Sequence, residues 1–248
     1  MNSKAKELSL NNTNFVTPNG LDDDNHYTTA YDLAILTNYA LKNETFRKIV
    51  STKTYNIYIN GYSRTISNTN ELLGSIDGVY GVKTGFTFNA GRCLVSSCKR
   101  GQMDIIVVVL GADTKKIRTS DSIKLIDYIF NNYSYINVEN TIKNSFDSYL
   151  FLNKNKYILE KTIDTPILEL EELTNYEFPI NINENKKLET KIHIINSLSF
   201  NTEKGSKIGT LYLYNNDKLL CETNIILNNN LNKNKWNYYF KNIFINLF

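Results

Sequence analysis

One tripeptide of the sequence, Lys83-Thr84-Gly85, combines residue types that could bind an anionic peptide. A lysine ammonium attracts a negatively charged substrate group and favours deprotonated neighbours. A threonine hydroxyl can donate a hydrogen bond to a carboxylate. A glycine leaves no side chain in the way of a peptide that adds to the edge of a strand. Alone, the tripeptide is a weak signal for a strand edge that binds a peptide carboxylate, and the alternative is that Lys83 is an ordinary strand lysine.

The segments around this tripeptide predict an antiparallel sheet with flanking helices. β-Rich runs separated by polar turns occur at 79–85, 92–97 and 105–110. Residues 28–42 have the spacing of a helix with one buried face, and another helix is predicted to begin at Ser120. The pair Asn60-Gly61 is a strong signal for a two-residue hairpin turn.

The sequence changes character near residue 140, where short alternating strands begin to recur between turns rich in Asn, Lys and Gly. The predicted strands are 149–152, 157–159, 192–195, 211–214 and 219–226. We therefore predict an α+β domain over residues 1–140 and a small β-rich domain over residues 141–231.

The last segment, residues 232–248, predicts an amphipathic helix that lies on a membrane surface. At 100° per residue its apolar side chains share one face: Trp236, Phe240, Ile243, Phe244 and Leu247. A helix that packs on its own domain is the alternative. No apolar run is long enough to cross a membrane, and the first residues lack the apolar core of a signal peptide.

Composition excludes several classes of function. The 28 basic and 25 acidic residues leave a net charge of +3, too weak a field to argue for nucleic acid. Three cysteines without a CxxC pair favour neither a disulfide scaffold nor a zinc site. The residues Asp22-Asp23-Asp24 lack the glycine and distal glutamate of a calcium loop, so we expect a solvated turn there, and His26 is expected to cap or pack. No metal or organic cofactor is implied.

The wider context of the tripeptide, from Gly78 to Leu94, resembles the K-T-G strand of the penicillin-binding, active-site-serine enzymes. It is most similar to the serine-type D-alanyl-D-alanine carboxypeptidases, the low-molecular-mass penicillin-binding proteins. The resemblance extends over nearly the whole chain. It includes Gly20-Leu21-Asp22, the segment from Tyr27 to Ala34, Asn68-Thr69-Asn70-x-Leu72 and Lys204-Gly205-x-x-Ile208-Gly209-x-Leu211.

The resemblance implies a role for each residue of the site. Lys83, Thr84 and Gly85 would form the substrate-binding strand, and the backbone N–H of Phe86 would be an oxyanion-hole donor. Arg118 would help hold the substrate carboxylate, a task that suits a planar guanidinium; a surface arginine near a helix N-terminus is the alternative. The implied substrate is the peptidoglycan stem pentapeptide, and β-lactams would bind if the full site is assembled. The implied location is the outer face of the cell membrane.

Two motifs of that family, S-x-x-K and S-x-N, are missing from their expected places. The letters recur in Ser3-x-x-Lys6, Ser96-x-x-Lys99 and Ser199-Phe200-Asn201, in the wrong order or context. The sequence therefore predicts the C-terminal portion of a carboxypeptidase, without the nucleophilic serine and its general base. An upstream fragment of the same enzyme could supply them, and without it the chain would bind substrate but not turn it over.

Two other functions are open on the sequence. The chain could be a non-catalytic wall-binding or membrane-anchoring module that retains a vestigial groove. It could also be a related serine β-lactamase, although the β-rich domain and the aromatic tail are unusual for a secreted β-lactamase.

Overall fold

The computed structural model describes residues 1–153, 158–160, 165–184, 186–195, 197–199 and 201–232. Backbone contacts divide the chain into two units, Met1–Ser134 and Tyr135–Phe248. This division falls slightly before the predicted boundary at residue 140. The predicted membrane-surface residues Trp236, Phe240, Ile243, Phe244 and Leu247 lie outside the described residues.

The first unit combines helices with a hairpin and an antiparallel sheet. Its elements are α1 (Asn2–Glu7), α2 (Ala30–Leu41), α3 (Glu44–Ser51), β1 (Thr54–Ile59), β2 (Tyr62–Ser67), β3 (Val79–Thr87), β4 (Gly91–Arg100), β5 (Met103–Ala112) and α4 (Lys115–Asn132). The predicted helix over 28–42 is α2. The predicted hairpin joins β1 to β2 through Asn60 and Gly61, whose φ angles of 51° and 83° suit a two-residue turn of the type I′ class.

Strands β3, β4 and β5 form an antiparallel sheet, as the sequence predicted, and their spatial order is β3-β4-β5. The core of the unit lies between this sheet and α4, where Leu94 of β4 and Ile126 of α4 are fully buried. Within the described residues β3 and β5 are the two edges of the sheet. One long side of β3 is therefore unpaired and open to an added strand.

Helix α2 is anchored at its N-terminus by a cap and a buried carboxylate. The Thr29 hydroxyl accepts a hydrogen bond from the backbone N–H of Asp32 at 3.1 Å. The Asp32 carboxylate accepts from the N–H of Asn12 at 2.9 Å and from the Thr13 hydroxyl at 2.7 Å. These bonds attach the segment before α2 to the helix.

The polar residues before α2 form a turn rather than a ligand cluster. The Asp23 carboxylate accepts from the backbone N–H of Asn25. His26 packs edge-on against Phe15 and lies 3.3 Å from the N–H of Thr17. Across the described ranges, no group of three or more His, Cys, Asp or Glu residues is arranged to hold a metal ion.

Helix α4 begins five residues earlier than the predicted start at Ser120. Thr114 is the N-cap, and its hydroxyl accepts a hydrogen bond from the N–H of Ile117 at 3.1 Å. The earlier start places Arg118 within the first turns of the helix.

The second unit is largely antiparallel β-structure. Its elements are β6 (Tyr133–Asn137), which crosses the boundary, α5 (Glu139–Asn153), β7 (Ile158–Glu160), β8 (Leu168–Leu170), β9 (Glu177–Asn181), β10 (Leu188–Ile194), β11 (Ser197–Ser199), β12 (Lys207–Asn215) and β13 (Lys218–Leu227). The main sheet has the order β10-β12-β13-β8, and its core includes the fully buried Leu211, Leu213 and Ile225.

The predicted strand 149–152 is wrong, because these residues belong to α5. Ile142 and Phe146 are buried in the core of the second unit, and Leu150 packs against it. Their spacing of four residues is that of a helix, and burial of this face outweighs the β propensity of residues 149–152. The α+β class with antiparallel sheets is confirmed, but the second unit is not purely β.

None of the helices that the structure describes has the length and apolarity to cross a membrane.

Candidate active site

The tripeptide Lys83-Thr84-Gly85 lies on the open edge strand β3. The Lys83 ammonium is exposed and donates a hydrogen bond to the carbonyl oxygen of Thr84 at 2.6 Å. A Cβ atom on Gly85 would lie 3.6 Å from the Cβ of Cys93, an ordinary contact. Packing within the unit therefore does not require glycine at this position, which is consistent with a need for space on the open side.

Phe86 and Arg92 form a stacked pair beside the tripeptide. The two residues are directly opposite each other on β3 and β4, and the guanidinium lies 3.6 Å from the centre of the Phe86 ring. Phe88 adds an edge contact to the same ring, with centroids 5.7 Å apart. A guanidinium over an aromatic face is held in place while its N–H donors remain available.

The loop before β3 positions a second threonine at the site. The hydroxyls of Thr69 and Thr84 lie 2.7 Å apart. The loop is held by the buried Asn70, which donates to the carbonyl oxygen of Gly81 at 2.8 Å and accepts from the N–H of Leu72 at 3.2 Å. Sequence reasoning assigned no role to Thr69; its only signal was the resemblance of the segment that contains it.

Arg118 is buried and ion-paired, so the alternative of a surface arginine does not hold. Its side chain is only 4% exposed, and its Nη2 lies 2.5 Å from Oε1 of Glu71. The Thr119 hydroxyl donates to the same carboxylate oxygen. Glu71 is another residue that the sequence did not single out, because it lies 47 positions from its partner.

The charge state of Glu71 follows from its neighbours. Burial alone would raise the pKa of this carboxyl, but hydrogen bonds from Thr119, its own backbone N–H and Arg118 outweigh burial. The pKa of Glu71 therefore lies below its ordinary value, and the carboxylate is ionised at neutral pH.

The first unit contains a cleft of about 630 Å³, which Arg118 lines but Glu71 does not. Its walls are formed by Asn19, Gly20, Thr69, Lys83, Thr84, Gly85, Phe86, Thr87, Ala90, Arg92, Cys93, Lys115 and Arg118. Four of these side chains are cationic and none is acidic. The cleft therefore brings the five residues predicted from the resemblance together in an electropositive environment that suits a carboxylate ligand.

The three serine motifs within the chain do not contribute to this cleft. Ser3 and Lys6 lie on α1, and Ser96 is fully buried within β4. Ser199 belongs to the second unit. No serine lines the cleft in the part of the chain that the structure describes.

Two family models match the chain. The one described as D-alanyl-D-alanine carboxypeptidase covers residues 1–114, and the one described as the C-terminal domain of penicillin-binding protein 5 covers residues 170–233.

Individual relatives agree with these matches. The chain is 33% identical over 241 residues to the D-alanyl-D-alanine carboxypeptidase DacF of Bacillus subtilis, covering 94% of this chain and 58% of that protein. It is 38% identical over 136 residues to a D-alanyl-D-alanine carboxypeptidase of a Streptomyces species, covering 52% of this chain and 47% of that one. The chain thus spans about half to three fifths of these two relatives.

A solved structure is similar along most of the chain. The crystal structure of penicillin-binding protein 5 from Haemophilus influenzae aligns with a TM-score of 0.69 at 25% identity, covering 94% of this chain and 64% of that one. DacD of Francisella tularensis, at 22% identity and a TM-score of 0.61, has the same fold.

Proposed function

Because the chain belongs to the low-molecular-mass penicillin-binding proteins, we propose that it supplies the substrate-binding wall of a serine-type D-Ala-D-Ala carboxypeptidase. The substrate would be a peptidoglycan stem pentapeptide, which loses its terminal D-alanine. The observation that carries the proposal is the single cleft in which Lys83, Thr84, Gly85, Phe86 and Arg118 meet.

In this proposal the peptide adds to the open edge of β3 as an extra strand. Its terminal carboxylate is held by the Thr84 hydroxyl and the Arg118 guanidinium, and Gly85 leaves room for its backbone. The carbonyl oxygen of the scissile bond accepts a hydrogen bond from the backbone N–H of Phe86. Loss of a comparable oxyanion donor in other enzymes costs about 3–4 kcal/mol of transition-state stabilisation.

The chemical step needs a serine hydroxyl, and no serine among the described residues lines this cleft. The serine oxygen attacks the carbonyl carbon of the penultimate D-alanine while a lysine takes its proton. The C–N bond breaks, D-alanine leaves as the protonated amine, and water then hydrolyses the ester to restore the serine. We propose that polypeptide beyond residues 1–248 supplies the serine and that lysine, so residues 1–248 alone are inactive.

Lys83 would act in the complete site, after other polypeptide has supplied the serine and its lysine, and not in this unit alone. Its ammonium contacts a backbone carbonyl, and no carboxylate pairs with it within the described ranges. It is therefore available to hydroxyl groups and to the substrate carboxylate. A β-lactam would place its carbonyl at the same position and acylate the same serine.

We further propose that residues 233–248 hold the protein at the outer face of the cell membrane. Five apolar side chains on one predicted helical face and the interspersed lysines support this location. A vesicle-binding assay with Trp236→Ala and Phe240→Ala together tests it, and unchanged binding to anionic vesicles would count against the anchor.

A second candidate function is a non-catalytic module that binds peptidoglycan peptides. The absence of a serine from the cleft in the described ranges favours it.

Labelling with a fluorescent penicillin separates the two candidates. We expect no covalent label on this chain alone, and a label on an added family fragment with S-x-x-K and S-x-N only when this chain is present. The matched control is Lys83→Ala, which should abolish that label. A label on this chain alone would refute the missing-nucleophile proposal, and no label in either mixture would favour the binding module.

A further inference from the structure

The carboxylate of Glu71 contacts the N-terminal end of α4 from outside the cleft. It pairs with Nη2 of Arg118 at 2.5 Å and accepts from the Thr119 hydroxyl, and Nζ of Lys115 lies 3.9 Å from its second oxygen. Arg118 and Lys115 line the cleft, whereas Glu71 does not. Glu71 is thus a neighbour of the cationic wall and not a part of the ligand-contacting surface.

The guanidinium of Arg118 has this carboxylate as its ion-pair partner. A buried cation is stable only when it is paired, and Glu71 is the acid that pairs with it in the described part of the chain. The Nε atom of Arg118 is buried and has no hydrogen-bond partner there. Glu71 therefore holds the guanidinium through Nη2, while the Nε donor remains unsatisfied.

We propose that Glu71 is a positioning residue that aims the Arg118 guanidinium at the terminal carboxylate of the bound peptide. This inference rests on the proposed function, because it assigns the ligand of Arg118. The competing account is purely electrostatic: Glu71 cancels one positive charge near the cleft and thereby weakens the binding of anions.

Two substitutions of Glu71 distinguish a role in positioning Arg118 from an effect of its negative charge. Glu71→Asp keeps the charge but withdraws the carboxylate by one methylene, so the contact with Arg118 is lost. Glu71→Gln removes the charge but keeps an oxygen that can accept from Arg118 and Thr119. Glu44→Asp, on the exposed start of α3, is a matched control far from this contact in sequence.

The readout is the affinity ratio between diacetylated Lys-D-Ala-D-Ala and its C-terminal amide, measured at about 0.5 M salt, where long-range charge effects are largely screened. Partners that orient metal ligands typically contribute about 10–100-fold to metal affinity, and we expect the lower end of that scale for a residue that orients a ligand-binding guanidinium. We therefore expect Glu71→Asp to lower the acid-to-amide ratio about tenfold, Glu71→Gln to lower it less, and Glu44→Asp to leave it unchanged. A ratio that Glu71→Asp leaves intact would overturn the inference. Tighter acid binding by Glu71→Gln alone would support the electrostatic account instead.

A second readout does not depend on ligand binding. NMR of the Arg118 guanidinium should show slow rotation about the Cζ–Nε bond in the wild-type chain and fast rotation in Glu71→Asp. If the wild-type chain bound the peptide acid and the peptide amide equally, the proposed carboxylate site would be refuted. The guanidinium signals would still test whether Glu71 orients Arg118. Identical rotation rates in the two proteins would refute the positioning role. Circular dichroism confirms that each variant is folded.

Discussion

The hydroxyl of Thr69 lies 2.7 Å from the hydroxyl of Thr84, across a separation of 15 residues in the sequence. The buried Asn70 fixes the loop that carries Thr69 by bonding to the carbonyl oxygen of Gly81, three residues before Thr84. The rotation of the Thr84 hydroxyl is therefore restricted before any ligand arrives. When Thr69 donates the shared hydrogen bond, the proton of Thr84 is free to point to a carboxylate.

This contact predicts unequal effects of two substitutions on ligand binding. Thr84→Val removes a hydrogen bond to a charged group, so we expect the affinity for a D-Ala-D-Ala peptide to fall about tenfold or more. Thr69→Val removes only the hydrogen bond between two neutral hydroxyls, so we expect the affinity for the peptide to fall about two- to fivefold. Isothermal titration calorimetry measures both, with Thr65→Val in the exposed hairpin as the control. Equal affinities in the wild type and Thr84→Val would show that the hydroxyl does not touch the ligand.

A glycine beside β3 predicts a large loss of stability on substitution. Gly78 has a φ of 80°, and an added Cβ would lie 2.3 Å from the carbonyl oxygen of Lys99. We expect Gly78→Ala to lower the free energy of unfolding by about 3 kcal/mol, from left-handed strain together with overpacking. Gly101→Ala has a similar φ of 59° but open space around it, so about 1 kcal/mol is expected there. Urea unfolding compares the two variants. Equal decreases in the free energy of unfolding would mean that the structure relaxes around the added Cβ at Gly78.

The cysteines predict a pattern of ligand protection. Cys93 is half-buried and lines the cleft, whereas Cys98 is fully buried and burial raises the pKa of its thiol. Iodoacetamide should therefore modify Cys93 well before Cys98. A saturating D-Ala-D-Ala peptide should slow the reaction of Cys93 and leave that of Cys221 in the second unit unchanged, as mass spectrometry of the digested protein can show. Undiminished alkylation of Cys93 would place the peptide elsewhere.

Tyr80 on β3 predicts a change of stability at high pH. Burial, followed by the hydrogen bond from its hydroxyl to Asp104 at 2.8 Å, raises the pKa of Tyr80 to about 12. The folded chain holds this proton more tightly than the unfolded chain does. The resulting contribution of Tyr80 to the free energy of unfolding is therefore fully present below the ordinary pKa of about 10. It is lost as the pH rises towards 12.

The measurement is the difference in melting temperature between the wild type and Tyr80→Phe. This difference should shrink between pH 10 and pH 12, where only the wild type loses the contribution of Tyr80. Tyr58→Phe, on the exposed hairpin, is the control for loss of a tyrosine hydroxyl at the surface. A constant difference for Tyr80→Phe across this range would contradict the raised pKa.

Local signals predicted much of the first unit. The Asn60-Gly61 turn, helix α2 and the strands β3 to β5 depend on neighbouring residues, and each lies where the sequence placed it. The start of α4 was missed because the Thr114 cap precedes the apolar stripe that marked the helix. The strand predicted at 149–152 failed because α5 buries Ile142 and Phe146 in a core that local sequence does not reveal.

The candidate site was predictable only in part for a similar reason. The tripeptide and Arg118 carry recognisable chemistry in the sequence, and both line the cleft. Thr69 and Glu71 acquire their roles from contacts with residues 15 and 47 positions away, so no local pattern could assign them. The Arg92–Phe86 stack likewise depends on the register of β3 against β4.

The most direct test of the central claim is an NMR titration of the backbone amides of this chain. Diacetylated Lys-D-Ala-D-Ala should shift the amide signals of Thr84, Gly85 and Phe86 together with the guanidinium signals of Arg118, and the C-terminal amide of the same peptide should shift them much less. This result would place a free carboxylate between Thr84 and Arg118. Shifts confined to other surfaces, or equal shifts from both peptides, would contradict the claim.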